Sequence, residues 1–280
     1  MQPTARTALR QEKTPAGENF PVAIRLLPTR YRHDLLAVYR YARHVDNLGD
    51  EAPGDRRRAL ADVAAEVQAL YRGEPVKDAA VAGLGCTVER CRLPTDPLLA
   101  LVHANVLDQD VHTYATFDDL LGYCSYSANP VGEIVLHIFD CASATRLALS
   151  NRICTGLQLI EHWQDIGEDY AAGRIYLPQQ DMARYGVKAS DLGGLTASPQ
   201  LRALLAFETD RALAWLNAGA PLAATLSRWP RLAVSGYLAG GRAAAARLRA
   251  RGYDPLPTPP KPRARDIAFA WARAKVKYAG

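Results

Sequence analysis

Apolar residues recur every three to four positions along most of the chain, which is the spacing of the buried face of an α-helix. From Pro21 onward the first such stripe consists of Leu35, Val38 or Tyr39, Ala42, Val45 and Leu48. Further helices are predicted at 59–75 and at about 94–109, 116–128, 130–142, 144–172, 198–218, 228–251 and 262–278. Runs of alternating β-branched residues are nearly absent, so the pattern predicts an all-α protein.

The chain is predicted to form one domain preceded by a short disordered tail. Residues 1–18 are polar, with scattered Pro, Gly and Lys, and are predicted to be a disordered tail. Residues 19–280 are predicted to form a single large helical bundle. The Pro-rich stretch 253–262 is predicted to link the bundle to its last helix. That helix carries an apolar stripe flanked by Arg and Lys, which suits docking on the core or contact with an anionic membrane surface.

Composition adds few constraints. With 49% hydrophobic and 22% charged residues, the 280-residue chain is typical of a globular protein with a sizeable core. The net charge of +5 fits an anionic ligand, an anionic membrane or nucleic acid, and selects none of them. No apolar run reaches the ~18 residues of a transmembrane helix. The odd number of cysteines, five, and the absence of a signal-like N-terminus favour free thiols in the cytoplasm.

Two pairs of aspartates stand out against this background. Asp46 and Asp50 lie four apart on one predicted helix, and Asp165 and Asp169 lie four apart on another. Like charges at this spacing share a helix face and cost roughly 0.2–0.5 kcal/mol per pair. A single acidic pair is usually a solvated surface. Two pairs, each beside apolar positions and one of them with Arg43 on the same face, favour a metal site.

The chemistry of Mg²⁺ explains this spacing. Mg²⁺ prefers octahedral oxygen ligands and keeps several waters, so it typically binds one or two carboxylates together with substrate phosphates. One helical turn separates the carboxylates of a pair by ~6 Å, which suits hydrated ions. Two facing pairs would hold a cluster of ions around a diphosphate and neutralise its charge as it leaves. The pattern therefore predicts ionisation of an allylic or cyclopropylcarbinyl diphosphate.

Four segments carry a family resemblance. They are ENFPVAIRLLP (18–28), YARHVDNLGDE (41–51), YATFDDLLGYCSYSANPVG (114–132) and LQLIEHWQDIGEDYAAGRIYLP (157–178). Through them the chain resembles the squalene/phytoene synthase family from about residue 19 to 278. The S-A-N-P-V-G segment is most similar to the branch that forms hydroxysqualene in bacterial hopanoid biosynthesis. The resemblance implies an isoprenoid-synthase helical bundle around a central cavity.

The resemblance also implies which residues bind metal. The positions that match the two metal motifs are Asp46, Asp50, Asp165 and Asp169, with Glu161 as a neighbour of the metal. Two of this chain's residues depart from the family pattern. Asn47 stands where the first motif, usually D-D-x-x-D, has its second carboxylate. Glu161 stands where the family often has Asn, so its part in metal binding stays open.

Further positions match residues around the substrate. The predicted substrate-binding residues are Arg43, Gln158, Arg174, Tyr176, Ser127 and Asn129. Arg174 and Tyr176 follow the second motif, where the family's lid closes over the diphosphate. Tyr123 matches a tyrosine near the reacting carbons, although an isolated tyrosine on an apolar helix is more often a core residue. The six histidines lack a metal-ligand spacing and are read as surface or hydrogen-bonded interior residues.

The implied activity is Mg²⁺-dependent ionisation of presqualene diphosphate followed by capture of the rearranged carbocation by water. This reaction gives hydroxysqualene and needs no NADPH. A first alternative is a head-to-head synthase that makes presqualene diphosphate, squalene or phytoene, which Asn47 and the S-A-N-P segment disfavour. A second alternative is an inactive relative that binds a lipid or a protein. Both aspartate pairs disfavour it, because a scaffold has no need of them.

The implied partner is a prenyl diphosphate lipid, and no nucleic acid is expected. The expected location is the cytoplasm. Peripheral contact with the inner face of the membrane and a homodimer both stay open at this stage.

Overall fold

The computed structural model describes residues 27–260, and this part of the chain is built from helices. They are α1 (Thr29–Asp50), α2 (Arg56–Arg72), α3 (Ala79–Ala82), α4 (Gly85–Cys91), α5 (Thr95–Leu107), α6 (Phe117–Ser127), α7 (Asn129–Ile138), α8 (Ala144–Ala171), α9 (Gln179–Tyr185), α10 (Pro199–Gly219), α11 (Leu222–Thr225) and α12 (Arg228–Ala250). A short 3-10 helix covers Ala189–Gly193. Residues 27–260 contain no β-strand, and one isolated parallel bridge joins Thr113 to Ile175. The all-α prediction is confirmed.

The long helices match the apolar periodicity, and the short ones do not show in it. The predicted segments at 144–172 and 198–218, for example, correspond to α8 and α10. The pattern gave no sign of α3, α4, α9 and α11, because four to seven residues are too few to establish a period. Local signals mark some of their ends: the Asp78 side chain accepts hydrogen bonds from the first turn of α3, and Gly186 ends α9 at a φ of 67°.

Some predicted features lie outside the described residues. They are the N-terminal tail at 1–18, most of the motif at 18–28 and the helix at 262–278. The predicted linker is described as far as Pro260, where it is extended and turn-like.

The first helix presents the predicted apolar face with one change. Leu35, Val38 and Val45 are buried as expected, and Tyr41 joins them with its hydroxyl donating to the Leu98 carbonyl at 3.0 Å. Near the end of the helix, Gly49 brings the backbone against α5. A Cβ atom at this position would lie 2.3 Å from Asn105 Oδ1, so only glycine allows this approach. The end of α1, which carries the two aspartates, therefore packs closely against α5.

The two aspartate helices belong to different parts of the core. Val45 of α1 lies in an apolar cluster formed mainly by α1, α2, α5 and α7. Trp163 of α8 is fully buried in a second cluster formed mainly by α8, α10 and α12. The Trp163 indole also donates to the Glu208 carbonyl at 3.2 Å, which fixes α8 against α10.

A glycine sets the distance between α8 and α10, and its replacement should be costly. A Cβ atom on Gly156 would lie 2.7 Å from the backbone nitrogen of Leu216, so Gly156→Ala must push the helices apart. We expect the free energy of unfolding to fall by about 1–3 kcal/mol, the usual cost of overpacking. The measurement is urea unfolding followed by circular dichroism. Gly122→Ala is the control, since a Cβ there meets nothing within 4 Å and should be neutral or stabilising. Equal stability of the two variants would contradict the expectation.

All five cysteines are free, as the sequence predicted. Cys124 is fully buried, and burial raises the pKa of its thiol to about 12.

None of the helices within residues 27–260 is both long and apolar enough to cross a lipid bilayer.

Candidate active site

Side chains of α5 and of the turn that follows it contact the end of α1, where the first aspartate pair lies. Asn105 donates to Asp46 Oδ1 at 3.2 Å, and Gln109 donates to the Gly49 carbonyl at 3.0 Å. Arg43 Nη1 lies 3.6 Å from Asp46 Oδ2 on the same face of α1. These contacts orient the Asp46 carboxylate and fix the last turn of α1.

The surroundings of the Asp46 carboxylate disfavour its charged form. The Asp46 side chain is 45% exposed, and the neighbouring protein still desolvates its carboxylate. The resulting desolvation raises its pKa to about 6, against the opposing effects of the Asn105 hydrogen bond and the Arg43 charge. The nearby carboxylates of Asp50 and Asp108 raise this pKa further. A carboxylate in such surroundings gains from a nearby cation.

The second pair lies on one stripe of α8. Asp165 is buried and Asp169 is partly exposed. His162, one turn before Asp165, is buried and has Nδ1 3.8 Å from Asp169 Oδ2. The Gln158 amide nitrogen lies 3.1 Å from His162 Nε2, so Gln158 and His162 support each other along the stripe. Glu161 is exposed and lines a pocket between α8 and α12.

The segment after α8 connects the second motif to the first. Gly173 turns the chain with a φ of 83°, and the Ile175 amide then donates to the His112 carbonyl at 2.8 Å. This bridge places Arg174 beside the end of α1. Arg174 Nη2 lies 2.7 Å from Asp50 Oδ1, which joins residues 124 positions apart in the chain. The Arg174 guanidinium thus connects the segment that follows α8 to the last turn of α1.

Four aromatic rings form one wall next to this link. His162 stacks on Tyr176 with ring centroids 3.7 Å apart and planes 18° from parallel. Tyr123 lies 5.6 Å from Tyr176, and Tyr114 lies 5.5 Å from Tyr123 and 5.8 Å from Tyr176. All four side chains are buried. Aromatic faces carry partial negative charge, so such a wall favours a neighbouring cation.

A buried carboxylate, Asp108, holds two of these rings. The Tyr123 hydroxyl donates to Asp108 Oδ2 at 2.9 Å, and the Tyr176 hydroxyl lies 3.5 Å from Oδ1. Burial raises the pKa of Asp108, while the Arg174 charge and the Tyr123 hydrogen bond act against this rise. Burial likewise raises the pKa of Tyr123 well above its usual range, so the phenol stays protonated.

The S-A-N-P segment joins α6 to α7 and faces α8. The Thr155 hydroxyl donates to Asn129 Oδ1 at 3.1 Å. Thr155 precedes Asp165 by ten residues, which is ~15 Å along the helix. Ser127 Oγ is buried and has no hydrogen-bond partner among the side chains and backbone of residues 27–260. Buried hydroxyls normally find a partner, so Ser127 has capacity for a water or a ligand group.

The donor set fits Mg²⁺ that is bound together with a substrate. Within residues 27–260, no three His, Cys, Asp or Glu side chains converge closely enough to hold a metal ion alone. Mg²⁺ needs only one or two carboxylates when waters and phosphate oxygens complete its shell. The pKa of Asp46 is raised, so a cation nearby would stabilise its charged form. Asp50 already pairs with a positive group, Arg174. Both features suit a site that Mg²⁺ shares with the substrate.

Sequence reasoning missed three residues of this site: Asn105, Asp108 and His162. Asn105 and Asp108 lie in LVHANVLDQD, where both are buried polar residues, three apart, at the end of an apolar helix. That placement is a usable signal, because buried polar groups need a partner. His162 was read as a surface or interior residue. It is an interior residue, and its neighbours show that it belongs to the site.

The comparisons with known proteins point to one family. The squalene/phytoene synthase family matches residues 14–268. Hydroxysqualene synthase of Rhodopseudomonas palustris is 34% identical over 226 residues, 80% of this chain and 76% of that protein. Hydroxysqualene synthase of Sinorhizobium fredii is 32% identical over 222 residues, 78% and 75% of the two chains. The crystal structure of squalene synthase HpnC from Alicyclobacillus acidocaldarius has a TM-score of 0.78 and 40% identity, covering 86% of this chain and 91% of that one.

The fold and the two connected aspartate helices define an isoprenoid-synthase bundle, the class of enzymes that act on prenyl diphosphates. Within that class, the chain belongs to the squalene/phytoene synthase family.

Proposed function

We propose that this enzyme ionises presqualene diphosphate and lets water capture the rearranged carbocation, which gives hydroxysqualene and diphosphate. The observation that carries the proposal is the Arg174–Asp50 ion pair, which brings the segment that follows α8, with Tyr176 and its stacked partner His162, to the first aspartate pair. The likeness to two hydroxysqualene synthases supports this choice of reaction within the family. The reaction balances, because the bond to the diphosphate oxygen breaks, water forms the new C–O bond and one proton is released.

The diphosphate would bind between the two aspartate pairs. Asp46, Asp50, Asp165 and Asp169 are the residues that would hold Mg²⁺, with Glu161 at the edge of the set. Bound Mg²⁺ supplies Lewis-acid stabilisation of the departing diphosphate. Arg43 and Arg174 would contribute positive charge to the diphosphate oxygens, and Gln158 and Tyr176 would support the α8 stripe and the segment that follows it.

The carbocation would lie against the aromatic wall, with Tyr123 nearest the reacting carbons. Tyr123 and Tyr176 present ring faces and hydroxyl oxygens, which favour positive charge without a nucleophile strong enough to trap it. Water would be held by Ser127 and Asn129, which lie at the junction of α6 and α7, beside Thr155 of α8. Ser127 has an unused buried hydroxyl, and Asn129 already shares a hydrogen bond with Thr155. A held water at this point captures the cation without any hydride donor, so we expect no requirement for NADPH.

The lipid nature of the substrate bears on location. We propose that the enzyme works in the cytoplasm and draws its substrate through brief peripheral contact with the inner membrane surface. Nucleic acid has no role in this proposal, and a homodimer is compatible with it without being required.

A labelled-water experiment tests the reaction. With Mg²⁺, presqualene diphosphate and H₂¹⁸O, and without NADPH, we expect hydroxysqualene that carries ¹⁸O in its alcohol, identified by mass spectrometry. Farnesyl diphosphate under the same conditions should give little or no product, because the enzyme is expected to hydrate a cation rather than condense two chains. The control is Asp210→Asn, which changes an exposed carboxylate paired with Arg249 on the surface.

The outcomes separate the competing functions. Formation of presqualene diphosphate from farnesyl diphosphate at a comparable rate would replace the proposal with a condensing head-to-head synthase. Squalene that appears only with NADPH would point to a reducing enzyme. Failure to release diphosphate from either substrate would favour an inactive, lipid-binding or protein-binding relative.

A further inference from the structure

Asp108 is a buried carboxylate that belongs to neither aspartate motif. It caps the C-terminal end of α5 and is 8% exposed. Its interaction partners come from three other elements: Tyr123 of α6, Tyr176 of the segment after α8, and the charges of Arg174 and His162. A carboxylate in this position is held at an energetic cost, since burial disfavours its charged form.

The hydrogen bonds give this carboxylate a defined effect on the aromatic wall. Tyr123 has a single O–H, and its donation to Asp108 at 2.9 Å fixes the direction of that hydrogen. The lone pairs of the phenol oxygen then point away from Asp108. A negatively charged acceptor also polarises the O–H bond and increases the negative charge on the phenol oxygen. Tyr123 thereby presents an electron-rich oxygen as well as a ring face.

The same carboxylate acts on the segment that follows the second motif. Tyr176 directs its hydroxyl towards the other Asp108 oxygen and stacks on His162. Tyr176 lies two residues after Arg174, whose guanidinium pairs with Asp50. Asp108 thus contacts the segment that also carries Arg174, while the Arg174 guanidinium is held by its own pair with Asp50.

We propose that Asp108 is a positioning residue that acts through Tyr123 and Tyr176 on the carbocation left after diphosphate departs. It holds the two phenols as one unit and increases the negative charge that they direct at the cation. This inference rests on the proposed function, because it assumes a cationic intermediate. Asp108 itself touches neither the substrate nor the metal in this account.

The test compares Asp108→Asn with Asp110→Asn. Asparagine keeps the size of the side chain and removes its charge, while Asp110 lies two residues away on the surface and pairs with Arg57. For Asp108→Asn we expect kcat to fall about 10- to 30-fold, within the range known for residues that orient functional side chains. KM should change little, because diphosphate binding depends on other residues. Asp110→Asn should match the wild type in both.

A double-mutant cycle shows whether Asp108 acts through the two tyrosines. In a background that carries both Tyr123→Phe and Tyr176→Phe, Asp108→Asn should reduce kcat by less than about threefold, since both phenols through which it acts have lost their hydroxyls. If Asp108→Asn and the tyrosine substitutions lowered kcat independently, so that their fold-losses multiplied, the proposal would be overturned. A kcat for Asp108→Asn within twofold of the wild type, or a rise in KM with kcat unchanged, would also overturn it.

A folding control and a second set of variants complete the experiment. Melting curves establish that each variant folds. If Asp108→Asn does not fold, Tyr123→Phe, Tyr176→Phe and their double variant decide instead: losses in kcat smaller than multiplicative support one unit, and multiplicative losses overturn it. The proposed function is judged separately, from the product of the wild type and of Asp110→Asn. Wild-type hydroxysqualene formation with a fully active Asp108→Asn would overturn this inference and leave the proposed function intact.

Discussion

Removal of divalent ions with excess chelator stops diphosphate release, and added Mg²⁺ restores it. The expectation follows from four carboxylates in two i,i+4 pairs that must receive a further anionic group, the diphosphate. Without cations, the like charges of Asp46, Asp50 and the substrate repel one another, and desolvation already raises the pKa of Asp46 to about 6. Arg43 and Arg174 do not carry enough positive charge to balance this set.

The measurement is diphosphate release, or product formation, in metal-free buffer with and without Mg²⁺. The melting temperature in chelator should stay near that of the untreated protein, because no cluster within residues 27–260 forms a structural metal cage. Undiminished turnover in excess chelator would contradict the mechanism. Loss of folding in chelator would instead indicate a structural ion.

Asp50→Asn and Asp165→Asn each lower turnover by at least ~100-fold, the scale of removing one preorganised contact to developing charge. Each variant keeps the shape of the side chain and removes one anionic ligand. Asp50→Asn also weakens the pair with Arg174, which is partly exposed, so its stability should change by no more than about 1 kcal/mol. The loss of activity should therefore exceed anything that altered stability explains.

Steady-state kinetics over a range of Mg²⁺ concentrations, with melting curves, measure both effects. The matched control is Asp210→Asn, whose carboxylate on α10 pairs with Arg249 at the surface. It should keep wild-type turnover. A near-normal rate for Asp50→Asn or Asp165→Asn, together with a lower melting temperature, would show that these carboxylates serve the fold rather than the chemistry.

Part of this site could be predicted before any coordinates. The two aspartate pairs are local features, because residues four apart on a helix share a face wherever the helix lies. The long helices were likewise visible in the apolar period, and the structure confirms them at α1, α8 and α10. The roles of the aspartates in metal binding stay predictions. The substrate-side residues came from the resemblance to the family rather than from any local rule.

Other parts of the site depend on packing between distant segments. The partners of Asp108 are one residue 15 positions away and another 68 positions away in the chain. Asn105 meets Asp46 across 59 positions because Gly49 lets α1 and α5 approach closely. A sequence can show that Asp108 and Asn105 are polar residues on apolar helices. It does not show which groups satisfy them.

The sequence by itself determined the all-α class, the long helices, the two acidic pairs and the family of this protein. These depend on spacing within one helix or on short matching segments. Only the tertiary structure decided that Arg174 joins the two motifs through Asp50, and that Asp108 holds Tyr123 and Tyr176. The physical reason is that helical periodicity specifies which face of a helix is buried but not which helix it packs against. That choice is made by the close packing of side chains from the whole chain.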